Sequence, residues 1–260
     1  MTEMSEYAPG TPSWVDLGTP DIAGASTFYA ALFGWTVVDA GPPELTGDYR
    51  TGELRGRPVA GLGPQADTDR LPWWTTYVAV TDVDATMAVV ERLGGRVVVP
   101  PVDVLTVGRM AMAIDPVGAV FALWQARDHI GAGITNEPGT LCWNELTCRD
   151  VDTARAFYSA VFGWDPRPSD LLPSGYTEWH LGHRSVGGLM QMNELWPADV
   201  PSHWMVYFAV ADCDRSAERC TELGGAVFVP PTDIPPGRFA VLNDPYGAVF
   251  SIIALPAAAG

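Results

Sequence analysis

Residues 14–35 read WVDLGTPDIAGASTFYAALFGW, and residues 143–164 read WNELTCRDVDTARAFYSAVFGW. Ten of these 22 positions are identical at a constant offset of 129. The correspondence continues in order along the chain. Val59-Ala60-Gly61 returns as Val186-Gly187-Gly188, and Tyr77-Val78-Ala79-Val80 as Tyr207-Phe208-Ala209-Val210. Leu93-Gly94-Gly95 returns as Leu223-Gly224-Gly225, Val99-Pro100-Pro101 as Val229-Pro230-Pro231, and DPVGAVF at 115–121 as DPYGAVF at 244–250. A period near 130 is too long for a solenoid repeat and marks a duplicated domain. The expected division is 1–130 and 140–260, joined by the Gly-rich stretch GAGITNEPG at 131–139.

Within each half one supersecondary unit is expected twice. A helix is predicted from Asp21, a good N-cap, to Gly34, a good C′ residue. Its stripe Ala25, Phe28, Tyr29 and Leu32 has the i, i+3, i+4, i+7 spacing of one buried face. The copy runs from Asp150 to Gly163 with Ala154, Phe157, Tyr158 and Val161. A second helix follows Asp82 and ends at Gly94-Gly95, and its copy follows Asp212 and ends at Gly224-Gly225. Strand-like runs precede each helix, and short β-type runs broken by Gly and Pro follow it. The pattern is β-α-β-β-β, twice per half, in an α+β layer architecture.

Composition narrows the function classes. The chain has 260 residues, 47% of them apolar and 18% charged, enough to bury a core without disulfides or metal. Lys plus Arg is 15 against 31 for Asp plus Glu, a net charge of -16, so nucleic acid and anionic membrane are poor partners. The N-terminal stretch MTEMSEYAPGTPSW lacks the basic and apolar regions of a secretory signal. No apolar run approaches the 18 or so residues of a membrane span. Cys142, Cys148, Cys213 and Cys220 form no CxxC pair, and reduced thiols in a cytoplasmic protein are the expectation.

The run D-x6-FY-x3-FGW, the closing DP-x-G-x-x-F and the paired βαβββ units resemble the vicinal oxygen chelate superfamily. That superfamily holds glyoxalase I, bleomycin-resistance proteins and extradiol dioxygenases. The resemblance covers nearly the whole chain as two tandem domains, and is greatest to tandem-domain actinomycete proteins. It implies a curled mixed sheet in each half with helices on its outer face, and a ligand or metal site on the concave face. Enzymes of the superfamily hold a divalent ion there with His and Glu or related ligands. Carried over, those slots fall at Trp14, near Gly61, near Thr76 and at Ala122 in half one. In half two they fall at Trp143, near Gly188, near Val206 and at Ser251. No His, Asp, Glu or Cys is among them, so no metal and no other cofactor is expected.

What replaces the ligands suggests a pocket for a planar molecule. Alternation puts Trp14 with Asp16 and Trp143 with Glu145 on one strand face. Trp74, Trp204 and Trp124 are placed in the same cavities as stacking groups, and Asp16 and Glu145 are the candidate acid/base pair. Each tryptophan is also a candidate for ordinary core, and each acid for a loop cap. Glu178 and His180, on one strand face of half two, are candidate ligand contacts, with His203 at a pocket rim. Arg109 and Arg238 open equivalent strands and are candidates to clamp a carbonyl or carboxylate, or to form structural salt bridges. No GxSxG, P-loop or GxGxxG motif competes. Three functions follow: a metal-independent binder of an aromatic or polyketide-like compound, an acid/base enzyme on such a compound, and a glyoxalase-type enzyme on a reactive carbonyl. Turnover separates the first two, and metal analysis separates the third. Monomer and homodimer are both compatible with the sequence.

Overall fold

The computed structural model describes residues 2–65, 71–170, 172 and 175–256. Half one begins with β1 (Thr2–Glu3), β2 (Pro12–Thr19), α1 (Ile22–Phe33), β3 (Thr36–Asp39), the short α2 (Pro43–Thr46), β4 (Arg50–Leu54) and β5 (Arg57–Pro64). It continues with β6 (Trp73–Ala79), α3 (Val83–Arg92), β7 (Arg96–Val104), β8 (Gly108–Ile114) and β9 (Val120–Ala126). After β10 (Ile134–Thr135), half two repeats the order as β11 (Leu141–Cys148), α4 (Val151–Phe162), β12 (Asp165–Pro168), β13 (Thr177–Leu181) and β14 (Arg184–Gln191). Its second unit is β15 (His203–Ala209), α5 (Cys213–Glu222), β16 (Ala226–Ile234), β17 (Gly237–Asn243) and β18 (Val249–Ala254).

Each half makes one eight-stranded sheet, β3-β4-β5-β2-β6-β9-β8-β7 and β12-β13-β14-β11-β15-β18-β17-β16. The sheets are mixed: β2 pairs parallel with β5 and antiparallel with β6, and β11 does the same with β14 and β15. Two βαβββ units per half, as the repeats imply, therefore meet at their first strands. The caps form as expected. Asp21 Oδ1 accepts from Gly24 N at 2.9 Å and Asp150 Oδ1 from Thr153 N at 3.0 Å, while Gly34 and Gly163 close the helices at φ 76° and 72°. The buried stripes end on Phe33 and Phe162 rather than on the half-buried Leu32 and Val161.

The helices cover the convex side of their sheets, and there the two halves share their cores. One apolar cluster joins Phe28, Tyr29 and Phe33 of α1 to Phe208, Phe250 and Ile252 of half two. The other joins Phe121 and Leu123 of half one to Phe157, Tyr158 and Phe162 of α4. Polar contacts cross reciprocally at the repeated motifs. Tyr29 Oη donates to Asp244 at 3.1 Å and Tyr158 Oη to Asp115 at 2.7 Å. Trp35 Nε1 donates to Gly139 O at 2.7 Å and Trp164 Nε1 to Gly10 O at 2.6 Å. The FY-x3-FGW and DP-x-G motifs therefore fasten each half to the other. The 131–139 stretch is packed rather than loose: Gly131 to Thr135 and Gly139 are buried, and β10 pairs with β1. Among the described residues no helix is long and apolar enough to cross a membrane.

Candidate functional site

The concave face of each sheet is built by alternation from β2 or β11. Val15 and Leu17 point into the shared core, which turns Trp14 and Asp16 the other way. Asp16 accepts hydrogen bonds from Tyr77 Oη at 2.8 Å and Tyr49 Oη at 3.2 Å, and Trp14 Nε1 donates to Tyr49 Oη at 3.1 Å. Half two repeats the arrangement. Tyr207 Oη donates to Glu145 at 3.2 Å, Trp143 Nε1 donates to Tyr176 Oη at 3.0 Å, and the Tyr176 hydroxyl also bonds the Glu145 carboxylate. Each cup thus holds a carboxylate gripped by two tyrosines, one of which is tied to an indole.

Glycines let these rings lie flat on the sheet. A Cβ on Gly188 would run into the Tyr176 hydroxyl and come within 2.9 Å of Trp143 Nε1, and one on Gly61 would strike the Tyr49 hydroxyl and the Asp16 Cβ, 2.9 Å away. Burial raises both carboxyl pKa values against the opposing pull of the tyrosine hydrogen bonds, and Asp16 is pushed up to about 6. Burial, then the neighbouring carboxylate, holds Tyr77, Tyr49, Tyr207 and Tyr176 far above the usual phenol range, so all four remain donors.

The candidate residues divide sharply. Trp14, Asp16 and Trp124 lie together in cup one, and Trp143 and Glu145 in cup two. Trp74 and Trp204 do not join them. Thr75 and Tyr77 are the residues of β6 that reach Asp16, so Trp74 faces the convex side, where its Nε1 donates to Tyr29 Oη at 3.2 Å. Trp204 likewise donates to Tyr158 Oη at 2.9 Å within the other core. The expected slot near Thr76 and Val206 is displaced by one residue, and a one-residue displacement in a strand changes the face. Thr76 itself bonds Asn144 across the seam at 2.9 Å.

Arg109 and Arg238 are also on the helix side. Arg109 bonds Asp84 of α3 through Nε at 2.7 Å and Nη2 at 2.9 Å, and Asp103 through Nη1 at 3.1 Å. Arg238 repeats this with Asp214 and Asp233. Both are structural clamps. Glu178 and His180 share the face of β13 that carries Tyr176, and Glu178, Gly188 and Glu145 stand in register across three strands. The Glu178 carboxylate is already engaged, accepting from Ser169 Oγ at 2.7 Å and Ser185 Oγ at 3.1 Å, with His180 Nε2 3.6 Å away. His203 sits two residues before Met205 on the Tyr207 face, with Nδ1 2.9 Å from Pro201 O, and burial lowers its pKa. His129 is half-buried edge-on to Trp14 at 4.6 Å, and burial lowers its pKa to about 4. The four tyrosines are not among the candidates that motif and alternation single out, although their recurrence at Tyr49/Tyr176 and Tyr77/Tyr207 is visible in the sequence.

Two clefts, of about 290 and 230 Å3, lie away from the cups on the seam, beside Phe33 and Asp212 and beside Phe162 and Asp82. Those aspartates already cap helices, accepting from Arg215 N and Ala85 N.

The fold defines a class of protein that commonly carries a divalent ion in such a cup. Here register lines up Trp14–Tyr77–Ala122 in half one and Trp143–Tyr207–Ser251 in half two across the three strands where ligands would stand. An indole, a phenol that stays protonated and a methyl or hydroxyl group do not make a donor set for such an ion. Among the described residues no three His, Cys, Asp or Glu side chains converge as a metal site. The residues present do not fit the metal of the fold family.

Residues 11–123 match the glyoxalase/bleomycin resistance protein/dioxygenase superfamily and residues 141–253 match a glyoxalase-like domain. The chain belongs to this superfamily, as a tandem two-domain member. It is 45% identical over 258 residues to CFP32 of Mycobacterium tuberculosis, provisionally named a glyoxylase, covering 97% of this chain and 98% of that one. It is 42% identical over 275 residues to the anthracycline biosynthesis protein DnrV of Streptomyces peucetius, covering 99% of each. Among solved structures, the Mn(II)-bound glyoxalase from Novosphingobium aromaticivorans superposes with a TM-score of 0.65 at 18% identity, over 95% of this chain and 82% of that one.

Proposed function

We propose that the protein binds a small planar aromatic or polyketide-like molecule on a concave sheet face without using a metal. One observation carries this reading: the row where ligands to a metal would stand holds an indole and a tyrosine over a buried, tyrosine-held carboxylate. Indoles offer stacking area, and the Tyr–carboxylate unit offers both a donor and an acceptor to a ligand hydroxyl or carbonyl. The name of DnrV supports a polyketide-pathway setting, because anthracyclines are fused aromatic quinones. The glyoxalase-type reading is weaker in this chain, since its donor sets suit no Lewis acid. A cytoplasmic setting belongs to the same proposal, supported by four free cysteines of which three are buried. So does the division into domains at 1–130 and 140–260.

A second reading is favoured by the carboxyl groups themselves. Asp16 near pKa 6 and the raised Glu145 are suited to exchanging protons near neutral pH, so an acid/base enzyme acting on the same ligand class stands as the alternative. Titrating the protein with alizarin, a hydroxyanthraquinone, while following indole fluorescence tests the binding reading, and saturable quenching is expected. Glu145→Gln then separates the alternatives. A binder keeps most of its affinity, whereas an acid/base enzyme loses turnover of its substrate by about 10²–10⁴-fold. Absence of saturable quenching would defeat the aromatic-ligand proposal.

A further inference from the structure

Building on that reading, we propose that only the second cup takes the ligand, one planar hydroxylated ring system per chain, and that the first is filled by the chain's own His129. The two cups share a floor, Trp14–Asp16–Tyr49–Tyr77 and Trp143–Glu145–Tyr176–Tyr207. They differ in what lies above it.

After β9 the chain turns back over cup one. His129 N donates to Val107 O at 3.0 Å, and Trp124 Nε1 donates to His129 O at 2.8 Å. Ala132 N donates to Ser13 O at 2.8 Å, and Tyr7 Oη to Ala132 O at 2.7 Å. These bonds hold the imidazole edge-on to Trp14 at 4.6 Å and to Trp124 at 5.8 Å. Trp14 and Trp124 are consequently only 4% and 6% exposed.

Among the described residues, neither part of this cover is repeated over cup two. Ile253 stands where half one has Trp124, and Leu255 and Pro256, which follow β18, are both exposed. Trp143, Tyr176, Tyr207 and Phe239 are half-buried, and among the described residues no aromatic ring packs on Trp143. The imidazole of His129 marks, through the repeat, the place above Trp143 where a flat ring belongs. Glu145 and Tyr207 lie just beneath that place, 3.2 Å from each other, with Phe239 and Ile253 on the same face of the neighbouring strands. A ring edge bearing a hydroxyl or carbonyl would meet the carboxyl or phenol there, while its flat body covers the indole. The ligand class is therefore a phenol or hydroxyquinone rather than a plain hydrocarbon.

The test uses the full chain labelled with 5-fluorotryptophan. The 19F resonances of Trp14 and Trp143 are assigned with the Trp14→Phe and Trp143→Phe variants. Without ligand, exchanging H2O for D2O should shift the Trp143 resonance and leave that of Trp14 unmoved. Adding alizarin should saturate at one equivalent per chain, shift Trp143 and not Trp14, and bind about two- to twelvefold more weakly to Trp143→Phe. Anthraquinone without hydroxyls should bind more weakly than alizarin. His129→Ala should let the Trp14 resonance respond to solvent. Equal solvent shifts at both tryptophans, saturation at two equivalents, or a ligand shift confined to Trp14 would overturn the assignment. If the solvent shifts divide as expected and alizarin does not bind, the ligand class fails and the closure of cup one stands.

Discussion

The two cups are copies at the floor and opposites at the roof. In cup one Trp14 is 4% exposed while Asp16 is half-buried; in cup two Trp143 is half-buried while Glu145 is 5% exposed. The repeated motifs account for everything the halves share, namely the helix caps, the crossed cores and the Tyr–carboxylate floor. The difference comes from residues that do not repeat: Trp124 is matched by Ile253 in β18, among the described residues no aromatic ring takes the place of His129 over Trp143, and Asp16 is one methylene shorter than Glu145. Duplication thus kept one scaffold twice, and a few unmatched side chains made the two concave faces chemically distinct.

The largest effects should appear where the halves are alike, in the crossed cores. Phe250 is fully buried against Tyr29 of the other half at 5.6 Å and Phe33 at 6.0 Å. Phe121 is equally buried against Tyr158 at 5.7 Å and Phe162 at 6.1 Å. Replacing either by Ala removes a large buried ring and leaves a cavity, and should lower stability by about 3–5 kcal/mol in urea titrations. The two losses are expected to agree within about 1 kcal/mol if the repeat is symmetric at this level. A much smaller loss for Phe250→Ala would mean that the half-one helix does not depend on half two.

The carboxylates come next. A raised folded-state pKa means the protonated acid is favoured in the native protein. The contribution of Asp16 is therefore fully present below its usual value of 3.8 and is lost as pH rises through about 6. Asp16→Asn escapes that loss, so its stability relative to the parent should be greater at pH 7.5 than at pH 4.5, and Glu145→Gln should move the same way. His129 acts in the opposite sense. Its depressed pKa makes stability fall as pH drops from its usual 6.5 towards about 4. Both halves carry the two trends, half one through Asp16 and His129 and half two through Glu145 and His203, whose pKa burial also lowers. Chemical denaturation at the two pH values reads this directly, and a relative stability of Asp16→Asn that does not grow with pH would contradict the burial argument.

The duplication, the βαβββ order and the cap positions were legible in the sequence because each has a local signature: an identical block, a 3.6 period, an Asp before a helix and a Gly after it. The strand faces that Trp14 shares with Asp16 and Trp143 with Glu145 were legible for a similar reason, since their strands are bracketed by motifs that fix the alternation. Trp74 and Trp204 were misplaced because β6 and β15 alternate between two apolar surroundings. One face enters the crossed core and the other the cup, so hydrophobicity does not reveal which face is which. The tyrosine grip on the carboxylates depends, for Asp16, on side chains 33 and 61 residues away, a separation at which only the paired recurrence offers a clue. The burial of His129 depends on a chain reversal over the sheet, and no periodicity encodes that.

The smallest effect sharpens the comparison from the outside of the sheets. Arg109 and Arg238 each form a two-point contact with an aspartate in the first turn of a helix, Asp84 or Asp214, and a third bond to Asp103 or Asp233. Those bonds hold Asp84, Asp103 and Asp214 below the usual carboxylate range. All of these groups face solvent, where screening and side-chain entropy leave little net stabilisation. Arg109→Ala and Arg238→Ala should therefore lower the melting temperature slightly and equally, and the difference should fade in molar salt. Neither should change alizarin affinity, because both guanidinium groups lie on the convex side of their sheets. Half two is the decisive case: if Arg238→Ala weakened alizarin binding while Arg109→Ala did not, the guanidinium would have to reach the second cup, and the assignment of strand faces in β17 would be wrong.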